Sequence, residues 1–230
     1  MNKKLVYVIL TTIVSLTWVW AAIEPVYYDD WLLENILVGI FALLIFGTGW
    51  KFEFSQLSYL LMSIFIILHI IGSHYTYAEV PWGVDLGHLI GSERNMYDRL
   101  VHLLFGVLFI YPLRELSVRI AKAKGFWGYF IPFMVISAFA GFYEILEWAA
   151  AVTIDPEAGA AFLGSQGDIW DAQKDMILAM IGAIATLTLV MIIHMIFNKS
   201  FYKEFKESFR LPKEDKPMGE IVLSEMISQK

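Results

Sequence analysis

Asp98 and His102 stand four residues apart, a spacing that puts both side chains on one face of a helix. Glu144 and Glu147 stand three apart, and Asp168, Asp171 and Asp175 follow at i, i+3 and i+7, so each set forms a stripe wherever the backbone is helical. His69 lies one turn ahead of Ser73 and His74. Acids and histidines delivered in such pairs can relay protons or ligate a divalent ion. With oxygen and nitrogen donors and no sulfur, that ion would be zinc, manganese or a similar metal. Once bound, it would polarise a phosphoryl or carbonyl group, or generate hydroxide. His102, Glu144, Asp98 and Glu147 are therefore candidate catalytic groups, and His69, His74, Asp171 and Asp175 candidate metal ligands. Arg99, Asp168 and Gln173 are candidate substrate-binding residues, with Arg99 suited to neutralise an acid or hold an anionic head group. No complete motif such as His-Glu-x-x-His is present, and a metal-free Glu–His acid/base pair is the alternative chemistry.

Plainer roles compete for the same residues. Asp98, Asp171 and Asp175 fall at predicted helix starts, where a carboxylate satisfies free amides and complements the dipole. His69 and His102 can serve as hydrogen-bond partners between helices. Glu144 and Glu147 resist such a reading, because they are expected near a helix C-terminus, where carboxylates oppose the dipole.

The elements that must position these groups are membrane spans. The 230 residues are 58% apolar and 17% charged, against about 45–50% and about 25% in soluble domains. That surplus is too large for one soluble core. Six stretches approach the roughly 20 apolar residues that a span needs: Leu5–Ile23, Leu32–Trp50, Leu57–Tyr75, Leu100–Ser117, Trp127–Ala150 and Asp175–Phe197. Tryptophans cluster at their ends, as interfacial belts require. The expected fold is an all-α bundle of six transmembrane helices over residues 1–197, followed by a cytoplasmic tail over 198–230. In that tail Phe201, Phe205 and Phe209 recur every four residues as on an interfacial helix, and the remainder through Pro212 and Pro217 reads as flexible. With the N-terminus inside, cytoplasmic segments hold 14 Lys and Arg against 3 outside (Arg94, Arg99 and Lys174), so both termini are expected in the cytoplasm. The first span also has features of a cleaved signal peptide, but its length and tryptophans favour a retained helix.

This topology makes the polar groups one-sided. His69, His74, His88 and His102 fall in the outer half of the protein, with only His194 near the inner end. The acids named above lie at outer helix ends or in the two long external loops, Thr76–Arg99 and Ala151–Lys174. Ionisable groups in lipid are costly, so such a collection is expected to face inward and converge. The absence of cysteine excludes disulfides and thiolate chemistry; with no basic patch apart from the membrane-flanking lysines, no nucleic-acid partner is expected, and the net charge of −6 does not bear on it.

The segments HIIGSHYTYAEVPWG (from His69), RNMYDRLVHLLFG (from Arg94), FYEILEW (from Phe142) and FLGSQGDIWDAQKDMILAMIGA (from Phe162) resemble the YjdF-like bacterial inner-membrane proteins over about residues 30–197. That resemblance implies a multi-pass protein of the bacterial inner membrane and no particular activity. A more distant pattern is similar to VanZ-like membrane proteins, associated with teicoplanin resistance. Asp98, Arg99 and His102 match the first motif, with Arg for Lys. Glu144 opens the second, with Glu147 for Gln. Asp175 and Gly182 match the third, with Ala179 for Asn. The shared order implies one convergent site across three spans. The expected function is binding of, or action on, an envelope lipid or lipid-linked substrate from the outer leaflet, with a divalent cation as the candidate cofactor. A non-enzymatic binding, transport or assembly role is the alternative. Transport ranks lower, because the polar groups sit above the midplane and the halves do not repeat.

Overall fold

The computed structural model describes residues 3–48, 52–153, 164–211 and 217–228. Among them the chain is entirely helical: α1 (Lys3–Ala21), α2 (Tyr28–Thr48), α3 (Gln56–His74), α4 (Gly83–His88), α5 (Tyr97–Arg119), α6 (Trp127–Thr153), α7 (Asp171–Phe197), α8 (Phe201–Glu207) and α9 (Met218–Ser228). Five of these, α1, α3, α5, α6 and α7, are long and apolar enough to cross a bilayer. The sixth expected span corresponds to α2, whose 21 residues match that length while carrying Asp29, Asp30 and Glu34 in its first two turns.

The centre of the bundle is the crossing of α5 and α7. A Cβ on Gly106 would overlap the Ala179 carbonyl oxygen, and one on Gly182 would overlap the Leu103 carbonyl. Ala179 and Ala183 are completely buried beside them. Small residues let two membrane helices meet backbone to backbone where lipid offers no hydrophobic drive. Because His102 is one turn from Gly106 and Asp175 one turn from Ala179, this contact also fixes where those two side chains meet.

α3 packs against α1 and α5 and is defined sharply at both ends. Ser55 caps its start by accepting from the Ser58 amide at 3.2 Å. Beyond His74 the chain reverses through Thr76 and Tyr77, which have φ of 46° and 52°. The Tyr77 ring lies where a Cβ on Gly72 would stand, so this glycine admits the ring against the helix. α1 is tied to the same corner, since His74 Nδ1 lies 3.0 Å from the Ala21 carbonyl.

Three details differ from the sequence reading. The external loop before α5 contains a short helix, α4, and α6 extends through Thr153. Glu144 and Glu147 are therefore not in a terminal turn, and their cost is burial rather than an opposed dipole. Within the tail expected to be flexible, Met218–Ser228 form a helix, while 212–216 lie outside the described residues. α8 docks on the α5–α6 turn, where Phe126 meets Phe205 and Phe209 at 6.0 and 4.9 Å between ring centroids.

Candidate functional site

Asp98 and His102 project from the first two turns of α5, as their spacing requires, with His102 Nε2 3.5 Å from Asp98 Oδ1. α6 brings Glu144 Oε1 to the same ring nitrogen, also at 3.5 Å. α7 adds Asp175, and donor atoms of Asp98, His102 and Asp175 all lie within 4.8 Å of one another. Asp175 is 2% exposed. Its Oδ1 and the Oε1 of Glu144 are buried without a hydrogen-bond partner. Glu147 follows Glu144 by three residues on the same face of α6. An unsatisfied carboxylate oxygen is expensive in such surroundings. Helix capping does not explain Asp98, because Met96 is the N-cap of α5. The set offers one imidazole nitrogen and several carboxylate oxygens, a donor chemistry that suits Mn, Zn or a related divalent ion.

Beside this cluster lies a clamp of opposite character. Arg94 and Arg99 both donate to Asp171 Oδ1, at 2.6 and 2.9 Å. Arg99 also reaches Asp168 at 2.6 Å, and Lys174 reaches the same oxygen at 2.5 Å. Arg94 further donates to the Ser165 carbonyl, and Asn95 pairs twice with Gln166 at 3.0 Å. These contacts bind residues 164–168 to the start of α5. Lys174, the Trp170 amide and Arg99 hold the Asp168 carboxyl well below the usual carboxylate range. Helix α7 starts at Asp171, so Asp168 belongs to the preceding turn, and only Asp171 and Asp175 share a helical face.

The predicted residues thus separate into groups. Asp98, His102, Glu144, Glu147 and Asp175 come together. Asp171, Asp168 and Arg99 form the adjoining clamp, with Asp171 engaged by two guanidiniums instead of standing open as a ligand. His69 is buried nearby, with Nδ1 2.5 Å from the Tyr77 hydroxyl and Nε2 3.2 Å from the Glu34 carbonyl oxygen. Burial pushes the Tyr77 phenol well above its usual range, so it remains a donor to Nδ1 and leaves the ring proton on Nε2. His74 stands apart on Ala21 and the Trp20 ring. Gln173 is exposed, two residues round the helix from Asp171. His88 pairs with Glu93 at the surface, and His194 lies at the opposite end with Tyr129 and Arg114.

Sequence reasoning overlooked Glu34, Tyr77 and Tyr143. The Tyr143 hydroxyl donates to Glu34 Oε2 at 2.7 Å, and that carboxylate lies 3.8 Å from His69 Nε2. Tyr143 also meets the His102 ring edge-on at 5.9 Å between centroids, joining the His69 group to the α5–α7 cluster. The signal for Glu34 was legible: it is a carboxylate at the head of an apolar run that is otherwise uncharged through Phe46. Arg94 and Gln166 carried no spacing signal, because their partners are about seventy residues away.

An all-helical bundle with several spans and a buried acid–histidine cluster at one end defines a polytopic integral membrane protein. The chain belongs to the family of predicted membrane proteins designated DUF2238, whose pattern matches residues 6–196. It is 36% identical over 158 residues to the inner membrane protein YjdF of Escherichia coli strain K12, covering 68% of this chain and 75% of that protein. No solved structure matches.

Proposed function

We propose that this protein binds a divalent cation in the cluster of Asp98, His102, Asp175 and Glu144, and uses it to hold or process the head group of an envelope lipid or lipid-linked substrate. The observation carrying this reading is the pair of buried, unpartnered oxygens, Asp175 Oδ1 and Glu144 Oε1, beside three converging donors. A cation would satisfy both and offset the crowding of three carboxyl groups around one imidazole. The ion would supply Lewis acidity, while Glu144 and Glu147 would be placed to move a proton. Arg99, whose Nε is also unpartnered, would hold an anionic group next to the ion.

The test is metal titration of the purified full-length chain after chelation. Manganese or zinc is expected to bind stoichiometrically. His102→Ala and Asp175→Asn should each weaken binding by at least the roughly tenfold to hundredfold that loss of an outer partner costs. A chain that binds neither ion above the level of the combined His102→Ala, Asp175→Asn variant would end this proposal. In the membrane, we place both termini in the cytoplasm and the cluster on the opposite face, on the strength of the 14-to-3 distribution of Lys and Arg. Reporter fusions at each terminus check that arrangement.

A non-enzymatic role is favoured by one feature: the arginine clamp is paired with Asp168 and Asp171, as in a device that holds a loop. Under that reading Glu144→Gln leaves cation affinity changed and every envelope phenotype untouched.

A further inference from the structure

At the end of the bundle opposite the acid–histidine cluster, a cavity of about 170 Å³ opens where α5, α6 and α7 meet the start of α8. Arg114 of α5, Tyr129 of α6 and His194 of α7 line it, with Lys124 from the α5–α6 turn and Asn198 and Glu204 from the α7–α8 corner. The volume is that of roughly five or six water molecules at about 30 Å³ each. It suits a small hydrated anion and is too small for a nucleotide or a sugar chain.

The donors on its wall hold one another in place. The Arg114 guanidinium lies over the Tyr129 ring, 4.7 Å from its centroid, and Nη2 donates to His194 Nδ1 at 3.2 Å. An arginine can only donate, so Nδ1 is the acceptor nitrogen and the ring proton sits on Nε2. The Tyr129 hydroxyl, 2.6 Å away, therefore donates to Nδ1 as well. Two helices thus fix the guanidinium of a third, yet its charge is unmatched. Arg114 Nη1 and Nε make no hydrogen bond, and no described carboxylate pairs with them. Nε is sealed within the protein, whereas Arg114 Nη1 and His194 Nε2 stay accessible. Lys124 also has no acid partner among the described residues. Glu204, the acid on the wall, accepts from Asn198 Nδ2 at 3.3 Å and not from Arg114. The cavity borders Gly125 and Gly128 at the start of α6, where the positive end of a 27-residue helix adds to the same field. A half-buried guanidinium without a counter-charge is costly, and one already fixed in place loses little freedom on taking an anion.

We infer that this cavity binds a phosphate group, with Arg114 Nη1, His194 Nε2 and Lys124 as its donors. A guanidinium matches phosphate oxygens, and basic pockets between spanning helices take phospholipid head groups. Arg114 lies five residues, about 7.5 Å, before the end of α5, close to the level where such head groups lie. Lys122 on the α5–α6 turn and Lys199, Lys203 and Lys206 beyond α7 concentrate anions at this end. A phospholipid's phosphodiester and a soluble phosphate present the same oxygens to these donors. The inference is independent of the cation proposal, whose residues lie at the other end of the bundle.

The test is calorimetric titration of the full-length chain, stripped of lipid in a maltoside detergent. The probes are dihexanoylphosphatidylglycerol, inorganic phosphate and, as a control without phosphate, dihexanoylglycerol. One phosphatidylglycerol or one phosphate should bind per chain, and dihexanoylglycerol should not compete. Phosphate binding as tightly as the lipid identifies a soluble ligand, whereas preference for the lipid identifies a head group; either supports the inference. Arg114→Gln should weaken binding at least about tenfold, as loss of a charge-assisted hydrogen bond does, and Lys124→Gln about fivefold. Glu204→Gln should tighten it, because the acid on the cavity wall repels the anion. Lys124 and Glu204 are exposed, so their opposite effects decide the matter even where Arg114→Gln fails to fold. His102→Ala should leave phosphate binding as in the wild type, so failure of the cation proposal does not touch this one. Binding of neither phosphate probe above the level of dihexanoylglycerol overturns the inference. So does binding unmoved by Lys124→Gln and Glu204→Gln, which would leave the Arg114 group as a fastening of three helices.

Discussion

At one end of the bundle, Glu115 accepts from the Ser55 amide at 3.0 and 3.1 Å, from the Ser58 hydroxyl at 2.6 Å and from Arg119 at 2.5 Å. This carboxylate anchors the start of α3 to α5, and each of its oxygens is used. At the other end, Asp98, Asp175 and Glu144 crowd one imidazole, and two of their oxygens meet no donor. Both sets are shielded by the same kind of apolar helix. The contrast separates a carboxylate that holds the fold together from carboxylates that the fold must hold. A carboxylate whose oxygens are all used contributes stability, whereas a buried carboxyl oxygen without a donor costs it.

The comparison can be broken most completely at the crossing that assembles the cluster. Gly106→Leu forces α5 away from the Ala179 carbonyl and should cost at least about 3 kcal/mol by overpacking, read as loss of folded protein in thermal denaturation. Next comes Glu115→Ala, which strips three donors of their acceptor. We expect about 2–3 kcal/mol of destabilisation, measured by unfolding in mixed micelles. The opposite sign is expected at the other end. Asp175→Asn in chelator should raise stability by about 1 kcal/mol, because the amide can donate to the neighbouring carboxyl oxygens where Asp175 leaves one unpartnered, while weakening cation binding. Destabilisation there would erase the distinction between the two ends. The smallest effect concerns Asp168. A carboxyl held below its ordinary range stabilises the fold above its unfolded pKa, and that contribution is lost as pH falls through the lower, folded value. Hydrogen exchange in residues 164–170 should therefore be insensitive to this group between pH 8 and pH 5 and accelerate only below about pH 4. Asp168→Asn should show the faster exchange already at neutral pH.

The spans were legible because lipid imposes a length and a composition on every helix that crosses it. Asp98 with His102, and Asp171 with Asp175, were legible for a related reason: helical spacing fixes which residues share a face, and charge in an apolar run must turn inward. The order of those motifs along three helices anticipated their meeting. What the spacing could not convey was partner choice over long sequence separations. Asp171 is i+3 from Asp168 and i−4 from Asp175, so it belonged equally to either group; only the arginines of the α4–α5 segment decide between them. His74 sits one turn from His69, yet the chain reversal at Thr76 and Tyr77 gives each histidine a different neighbour. Glu34 carried a signal, with Asp30 one turn before it, but its partners Tyr143 and His69 lie 109 and 35 residues away.

The backbone contact at Gly106 and Gly182 bears on how anything reaches the cluster. Two helices touching main chain to main chain leave no slack for a side chain to retract, so α5 and α7 behave as one rigid post. α2 is fastened differently: it packs mainly on α3, and the Tyr143–Glu34 hydrogen bond reaches across to α6. An opening between α2 and α6 costs that bond and modest side-chain packing, whereas parting α5 from α7 would dismantle the centre of the molecule. Any path to the proposed cation site is therefore expected to open on the α2–α6 side, where one hydrogen bond has to yield, and not at the Gly106–Gly182 contact.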